Sequence, residues 1–373
     1  MPQYMFLGLC IIDIFGGGFE VSNSIIMRCF QLFFWFSRSA FRLFSVFDAR
    51  QDTFCTYGGI QKMSSVISSS SSRVFDAINE CVFLLQSDSV EVQERALQML
   101  ASITKVSSQN RTSLAQTEGA IPTIATLTNS SYPIIQTLSL LTLFNLSLNP
   151  DLKQSLADME TIYYLNSLIT NSSFNLDSSK LASSLVCSLA MHDKNKAKFG
   201  VAGTVQLLVK AVEGSHGSDA HQLLSSLAEL VHFHGNCTLA VRAGAVAVLL
   251  KVVKGTDNED LAGTSLAVLS LLARFDEGLN CLKETDEIIR VMLNVLKGRS
   301  LLSKEGAADI LIRLFDDSED CVTEALMLPE FSTVLADLCV RGSVRVRDKA
   351  DLLMKKMALV SLDSDMEVCS LHG

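Results

Sequence analysis

Two stretches of this 373-residue chain carry one pattern twice: Asn195–Val212, NKAKFGVAGTVQLLVKAV, and Asn236–Val253, NCTLAVRAGAVAVLLKVV. In each, an Asn is followed eight residues later by Gly203 or Gly244. The apolar positions Val205, Leu208, Val209 and Val212 come next in the first, and Val246, Leu249, Leu250 and Val253 in the second. Each set falls at i, i+3, i+4 and i+7, which is one face of an α-helix. The Gly closes a short turn before that helix, where a residue without Cβ is useful. A self-match at a period near 42 predicts an all-α protein in which short helices stack into a solenoid.

The period extends outward. Asn110 and Gly119 precede Ile121, Ile124, Ala125 and Thr128, each 84 residues before its counterpart in the third copy. A degenerate copy lies between, with Glu160 at the Gly place and Ile162, Leu165 and Ile169 behind it. Downstream, Asp286 takes the Gly place before Ile288, Val291, Met292 and Val295. A longer helix precedes each turn, marked by Leu181, Leu185 and Leu189 in one copy and by Leu223, Leu224, Leu227, Leu230 and Val231 in the next. Five copies are readable, a sixth spans Ala307 to Phe331, and a closing unit follows. In that unit Val334, Leu338, Ala350, Leu353 and Met357 are expected to pack inward while Arg345, Arg347 and Lys349 stay solvated, because a terminal repeat needs a polar outer face. Upstream, Val74, Ile78, Cys81, Val82 and Leu85 fit one helix face, and Asp88 or Ser89 can cap the helix after it.

Composition agrees with amphipathic helices around a continuous core: 48% of residues are apolar and only five are Pro. A formal charge of −9 carries no overall basic footprint, so nucleic acid is not an expected partner. The domain plan reads as a non-repeat hydrophobic extension over 1–62, a Ser-rich linker over 63–73, the repeats over 74–361 and a tail over 362–373. The extension holds eleven of the twenty Phe and the single Trp, Trp35. Its apolar run Ile25–Phe47 is interrupted by Arg28, Arg38 and Arg42. At a cost of about 2.5–3.5 kcal/mol per central Arg, that run makes a poor membrane span, and no membrane role is expected. Met63 reads as the functional start.

At this point the residues carry a resemblance. Asn110-Arg111 through Gly119-Ala120-Ile121-Pro122 is similar to the turn of armadillo repeats. Leu143-Phe144-Asn145-Leu146-Ser147 resembles the segment of the third armadillo helix that includes its groove-facing Asn. The run Gly342-Ser343-Val344-Arg345-Val346-Arg347-Asp348-Lys349-Ala350-Asp351-Leu352-Leu353 resembles the last repeat of plant U-box/armadillo ubiquitin ligases. The resemblance covers about residues 74–360. The Cys-Pro-Ile and Asp-Pro-Val segments of a U-box occur nowhere in the 373 residues.

The resemblance implies a right-handed solenoid whose third helices line a concave groove. The position of Asn145 then recurs at Ser102, Asn145, Ser188, Glu229, Leu271 and Arg313, spaced 43, 43, 41, 42 and 42 apart. A side-chain amide there could donate to a peptide carbonyl and accept from its N–H. Four residues earlier, where nuclear-import receptors carry Trp, stand Gln98, Leu141, Ser184, Ser225, Ala267 and Asp309. The groove of a nuclear-localisation-signal receptor is therefore not reproduced.

No other constellation points to chemistry. His232, His234 and Cys237, with His221 a few turns earlier, do not share a helix face as metal ligands would. The ten Cys contain no C-x-x-C and read as buried, reduced structural thiols. Five N-x-[ST] sequons, at Asn110, Asn129, Asn145, Asn171 and Asn236, follow from the abundance of Ser and Thr. The expectation is a non-enzymatic scaffold without metal or cofactor, cytoplasmic and also nuclear, that binds a protein or extended peptide in its groove. The alternative is the substrate-recruiting part, or a U-box-less relative, of a plant ubiquitin ligase, working with the ubiquitination machinery.

Overall fold

The computed structural model describes residues 71–170, 176–215, 218–255 and 258–370, so expectations for 1–62 and for most of the linker lie outside it. The described residues form helices with no strand among them. A first pair, α1 (Ser71–Leu84) and α2 (Val90–Val106), precedes the repeating units. The first unit is α3 (Ser108–Gln116), α4 (Ala120–Leu127) and α5 (Pro133–Ser147). The second is α6 (Lys153–Leu156), α7 (Met159–Thr170) and α8 (Leu176–Ala190). The third and fourth are α9 (Asp193–Val201), α10 (Thr204–Gly214) and α11 (Ser218–Leu230), then α12 (His234–Arg242), α13 (Ala245–Gly255) and α14 (Glu259–Leu272). The fifth is α15 (Asp276–Lys283), α16 (Ile288–Lys297) and α17 (Leu301–Asp317), and the closing end is α18 (Glu319–Leu326), α19 (Phe331–Arg341) and α20 (Val344–Ser370). The last helix runs to Ser370.

Each third helix packs on the third helix of the next unit, giving one row α2–α5–α8–α11–α14–α17–α20. Second helices do the same where α7 meets α10, α10 meets α13 and α16 meets α19. This is the stacked architecture that the period predicted. The apolar face of the third copy is sealed, with Val205, Leu208, Val209 and Val212 all at 2% exposure or less. Val246, Leu249 and Leu250 are buried in the fourth, and Val253 is half-buried. Full burial of each such side chain stabilises by about 1.5–3 kcal/mol, supplied by the other helices of the same unit together with those of the neighbouring units.

The turn glycines have the expected cause. Gly119, Gly203 and Gly244 sit at φ of 72°, 77° and 82°, the left-handed region, immediately before α4, α10 and α13. The Asn that opens each pattern is a staple. Asn195 Nδ2 donates to Leu189 O at 3.0 Å and to Lys153 O, one repeat back, at 2.9 Å. Asn236 Nδ2 repeats this with Leu230 O and Lys196 O, both at 2.9 Å. Asn110 Nδ2 reaches Ile103 O at 2.9 Å. One amide thus satisfies the carbonyl at a helix end, which has no intrahelical donor, and ties first helices of successive units together.

Three copies differ from their reading. In the first, Ile124 and Thr128 are buried but Ile121 and Ala125 are half-buried, and Ala120 is buried instead. In the fifth, the left-handed residue is Glu287 at φ 58°, not Asp286, and the buried face is Ile288, Ile289, Met292, Leu293 and Leu296. Val291 and Val295, expected inside, are half-buried. Seven of the ten residues of α16 are apolar, so periodicity alone did not select a face. In the second, Glu160 lies inside α7 and no left-handed residue is used. Asp158 replaces it by capping, its Oδ1 accepting from Thr161 N at 2.7 Å. Upstream, the cap at α2 is Ser89, whose Oγ accepts from Val92 N.

The closing end buries Leu338, Ala350, Leu353 and Met357 as expected, whereas Val334 is half-buried. Its cations are a correction. Lys349 pairs with Asp309 at 2.7 Å and Glu305 at 3.5 Å, and Arg345 pairs with Glu305 at 3.3 Å. Only Arg347 of the three is fully exposed. The acids come from α17, and the pairs align α20 on it.

Candidate functional site

The six equally spaced positions do lie on consecutive third helices, but they present different surfaces. Ser102 is exposed, and its Oγ donates to Gln98 O at 2.8 Å. Glu229, Leu271 and Arg313 are half-buried, with part of each side chain open to solvent. Asn145 and Ser188 are the corrections, each 1% exposed.

Asn145 is turned toward the preceding third helix. Its Nδ2 donates to Ala101 O at 3.0 Å and to Thr104 Oγ1 at 3.1 Å, while Oδ1 has no hydrogen-bond partner. The amide expected to hold a partner's backbone instead joins α5 to α2. Ser188 is absorbed in the same way. Its Oγ lies 2.8 Å from Ser147 Oγ, across one repeat, and accepts from Lys153 Nζ at 3.0 Å.

Lys153 itself was not singled out by the sequence. It occupies the Asn195 place one copy earlier, 42 residues back. Being longer than Asn, it reaches forward to Ser188 O at 2.5 Å rather than back to a helix end. It is 8% exposed, and among the described residues no carboxylate pairs with it. Burial pushes its ammonium down from 10.5 to about 8, against weaker opposing influences of Cys187 and Glu229. The folded state therefore binds fewer protons than the unfolded state between about pH 8 and 10.5. Lys153 on its own adds stability as pH rises through that window and none below it, against the opposite slope of the buried thiols, whose raised pKa costs stability above about pH 9. Lys153→Met should remove this contribution and lower the stability at pH 10 relative to that at pH 7.5, which urea denaturation of variant and parent would read; an unchanged difference between the two pH values would contradict the assignment.

The remaining candidates settle into structure. His232 Nδ1 lies 2.8 Å from Ala228 O, and the His234 ring meets Phe275 edge-on at 4.6 Å. Among the described residues, no group of three or more His, Cys, Asp or Glu could hold a metal ion. Burial raises the thiols of Cys81 to about 11, Cys237 to about 12 and Cys187 further still, which leaves them poor nucleophiles. Among the described residues no single helix is long and apolar enough to cross a membrane.

The architecture finds its counterparts among solved structures. The chain superposes on an engineered protein with a TM-score of 0.67 at 19% identity, covering 76% of this chain and 68% of that one. A second engineered protein gives 0.58 at 20% identity, covering 64% and 96%. A computationally designed armadillo repeat protein for modular peptide recognition gives 0.58 at 17% identity, covering 63% and 99%. The fold is an armadillo-type solenoid. No family model matches the chain. In sequence, it is 30% identical over 116 residues to U-box domain-containing protein 1 of Medicago truncatula. That match takes in 31% of this chain and 17% of the relative's length.

Proposed function

We propose that this chain is a non-enzymatic scaffold that holds an extended segment of a protein partner along the face lined by its third helices. The observation that supports this most is the unbroken row of third helices from α2 to α20, which repeats equivalent positions once per unit. The designed protein with the same fold is described as made for modular peptide recognition. On this face Glu229, Leu271 and Arg313 keep exposed surface, so the reading places partner contacts there and at Ser102. Asn145 and Ser188 contribute by fixing the helices that carry those side chains. Arg313 offers a planar fork to a carboxylate, and Glu229 accepts from an N–H or a cation.

The test begins with affinity purification of tagged full-length chain to obtain the partner. Glu229→Ala with Arg313→Ala should then weaken binding at least about tenfold, since loss of a charge-assisted contact costs about 1.5–3 kcal/mol. The melt should stay put. Asn145→Ala should do the reverse, lowering the melt by removing the buried amide that joins α5 to α2 and leaving a gap in its place. Full binding by the double variant would place the partner on another face.

A second reading, a substrate-recruiting relative of plant U-box ubiquitin ligases, is favoured by the local match to a U-box protein. Co-purification of ubiquitin-conjugating enzymes or ligases would select it over a free-standing scaffold. We place the protein in the cytoplasm, and also the nucleus, on the strength of its free, buried thiols; imaging of tagged full-length protein tests that.

A further inference from the structure

The third helices are open along only part of their row. Every residue of α8 from 181 to 190 is buried, and between 135 and 147 of α5 only Leu141 is not. The next three third helices each keep an open strip at helical spacing. It runs through Gln222, Ser225 and Glu229 on α11, Ala267 and Leu271 on α14, and Asp309 and Arg313 on α17, all half-buried. Since α11 packs on α14 and α14 on α17, Glu229, Leu271 and Arg313 stand side by side on one stretch of surface.

The charges at its two ends are unpaired. Arg313 has three carboxylates within a turn of its own helix, Asp309, Asp316 and Asp317, at the i−4, i+3 and i+4 places where a partner is expected. Each is taken by a lysine of another helix: Asp309 by Lys349 at 2.7 Å, Asp316 by Lys356 and Asp317 by Lys283. Arg313 is left with no ion pair among the described residues, and so is Glu229. Lys153, close enough to feel the Glu229 charge, donates to Ser188 instead. Nor can Glu229 and Arg313 pair with each other, because two helix-to-helix steps separate them by about 16–20 Å. Gln222 adds an observation of another kind. Its Oε1 is buried and has no hydrogen-bond donor among the described residues. Such an acceptor costs free energy that a backbone N–H of an incoming chain would recover.

Resting on the groove reading above, we propose that the partner is a protein segment of two opposite charges, with a Lys or Arg that meets Glu229 and an Asp or Glu that meets Arg313. An extended chain rises about 3.3 Å per residue, so the span corresponds to about five or six residues. Side chains of an extended chain alternate between faces, and only an even separation turns both charges toward the helices. The separation is therefore about six residues, in either chain direction. An apolar side chain about two or four residues along shares that face and covers Leu271. A uniformly basic segment is disfavoured, because its second cation would meet Arg313.

A phage-displayed library of random peptides, panned against the full chain, tests this without a known partner. Enriched peptides with a base and an acid about six residues apart are expected. One of them, synthesised and followed by fluorescence polarisation, should bind at least about tenfold more weakly to Glu229→Gln and to Arg313→Gln at an unchanged melt. Neutralising the acid of the peptide should cost nothing further against Arg313→Gln, since the pair is already lost. Glu229→Arg with Arg313→Glu should reverse the preference, so that a peptide with its two charges exchanged binds better than the original. The single Gln variants and the neutralised peptide carry the test if this double variant does not fold. Enriched peptides that lack the charge pair, yet lose binding to Leu271→Glu, would overturn this inference and leave the groove reading standing. Binding that survives Leu271→Glu and both Gln variants would overturn the two together, as would a library that yields no saturable binder.

Discussion

Leu249→Asp should unfold the fourth unit or cost the chain about 4 kcal/mol or more. Leu249 is 1% exposed on α13, in the i+3 position of the repeated face. Its neighbours Val246 and Leu250 are 1% and 4% exposed, so a carboxylate there would meet an apolar wall without a cation or donor. Transfer of an unpaired charge into such a site is among the few changes that exceed the usual 0.5–3 kcal/mol of a point mutation. In a solenoid the damage does not stay local. Each unit is stable only against its neighbours, so loss of one interface splits the row into two shorter arrays. Two separated urea transitions, or a melt lowered well beyond that of Leu249→Ala, are the expected readout. An unchanged melt would mean that the repeat register is wrong.

The sequence disclosed the repeats best where two independent signals coincide. In the third and fourth copies, Gly203 and Gly244 punctuate the turn and the apolar residues allow a single face. Where one signal is missing, the reading drifts. Glu287 adopts the left-handed conformation without any residue preference announcing it, and the dense apolar run of α16 accepts several registers. Asp158 does by side-chain capping what Gly does elsewhere. The candidate site was legible in position but not in accessibility. Equal spacing identifies Asn145 and Ser188 as third-helix positions. Whether such a side chain is free depends on what a neighbouring repeat offers it. Thr104 stands 41 residues before Asn145, and Ser147 41 before Ser188. These pairs become visible only once the repeats are stacked, because each involves two different positions of the repeat rather than one recurring one. The same holds for Lys349 with Asp309.

Gly278→Asn restores the residue that the repeat pattern asks for, and it should nonetheless destabilise the protein by about 3 kcal/mol or more. Gly278 is the third residue of α15, just as Asn195 and Asn236 are the third residues of α9 and α12. In the fourth unit, Asn236 grips Leu230 O from 2.9 Å through its amide. The equivalent carbonyl in the fifth unit is that of Leu272, 42 residues on, and the chain there runs much closer. A Cβ on Gly278 would lie 2.7 Å from the Leu272 carbonyl carbon and nearer still to its oxygen. That neighbour is backbone at the end of α14, so it cannot swing aside as a side chain would. The corner between α14 and α15 has closed over the space that the Asn uses elsewhere. Overpacking of this kind typically costs about 1–3 kcal/mol, and more when backbone must shift. A comparison of Gly278→Ala with Gly278→Asn separates the two contributions. If the clash dominates, Ala already carries most of the loss. If Asn is instead as stable as the parent, or more so, the corner opens to accept it and the fifth unit follows the same staple as the third and fourth.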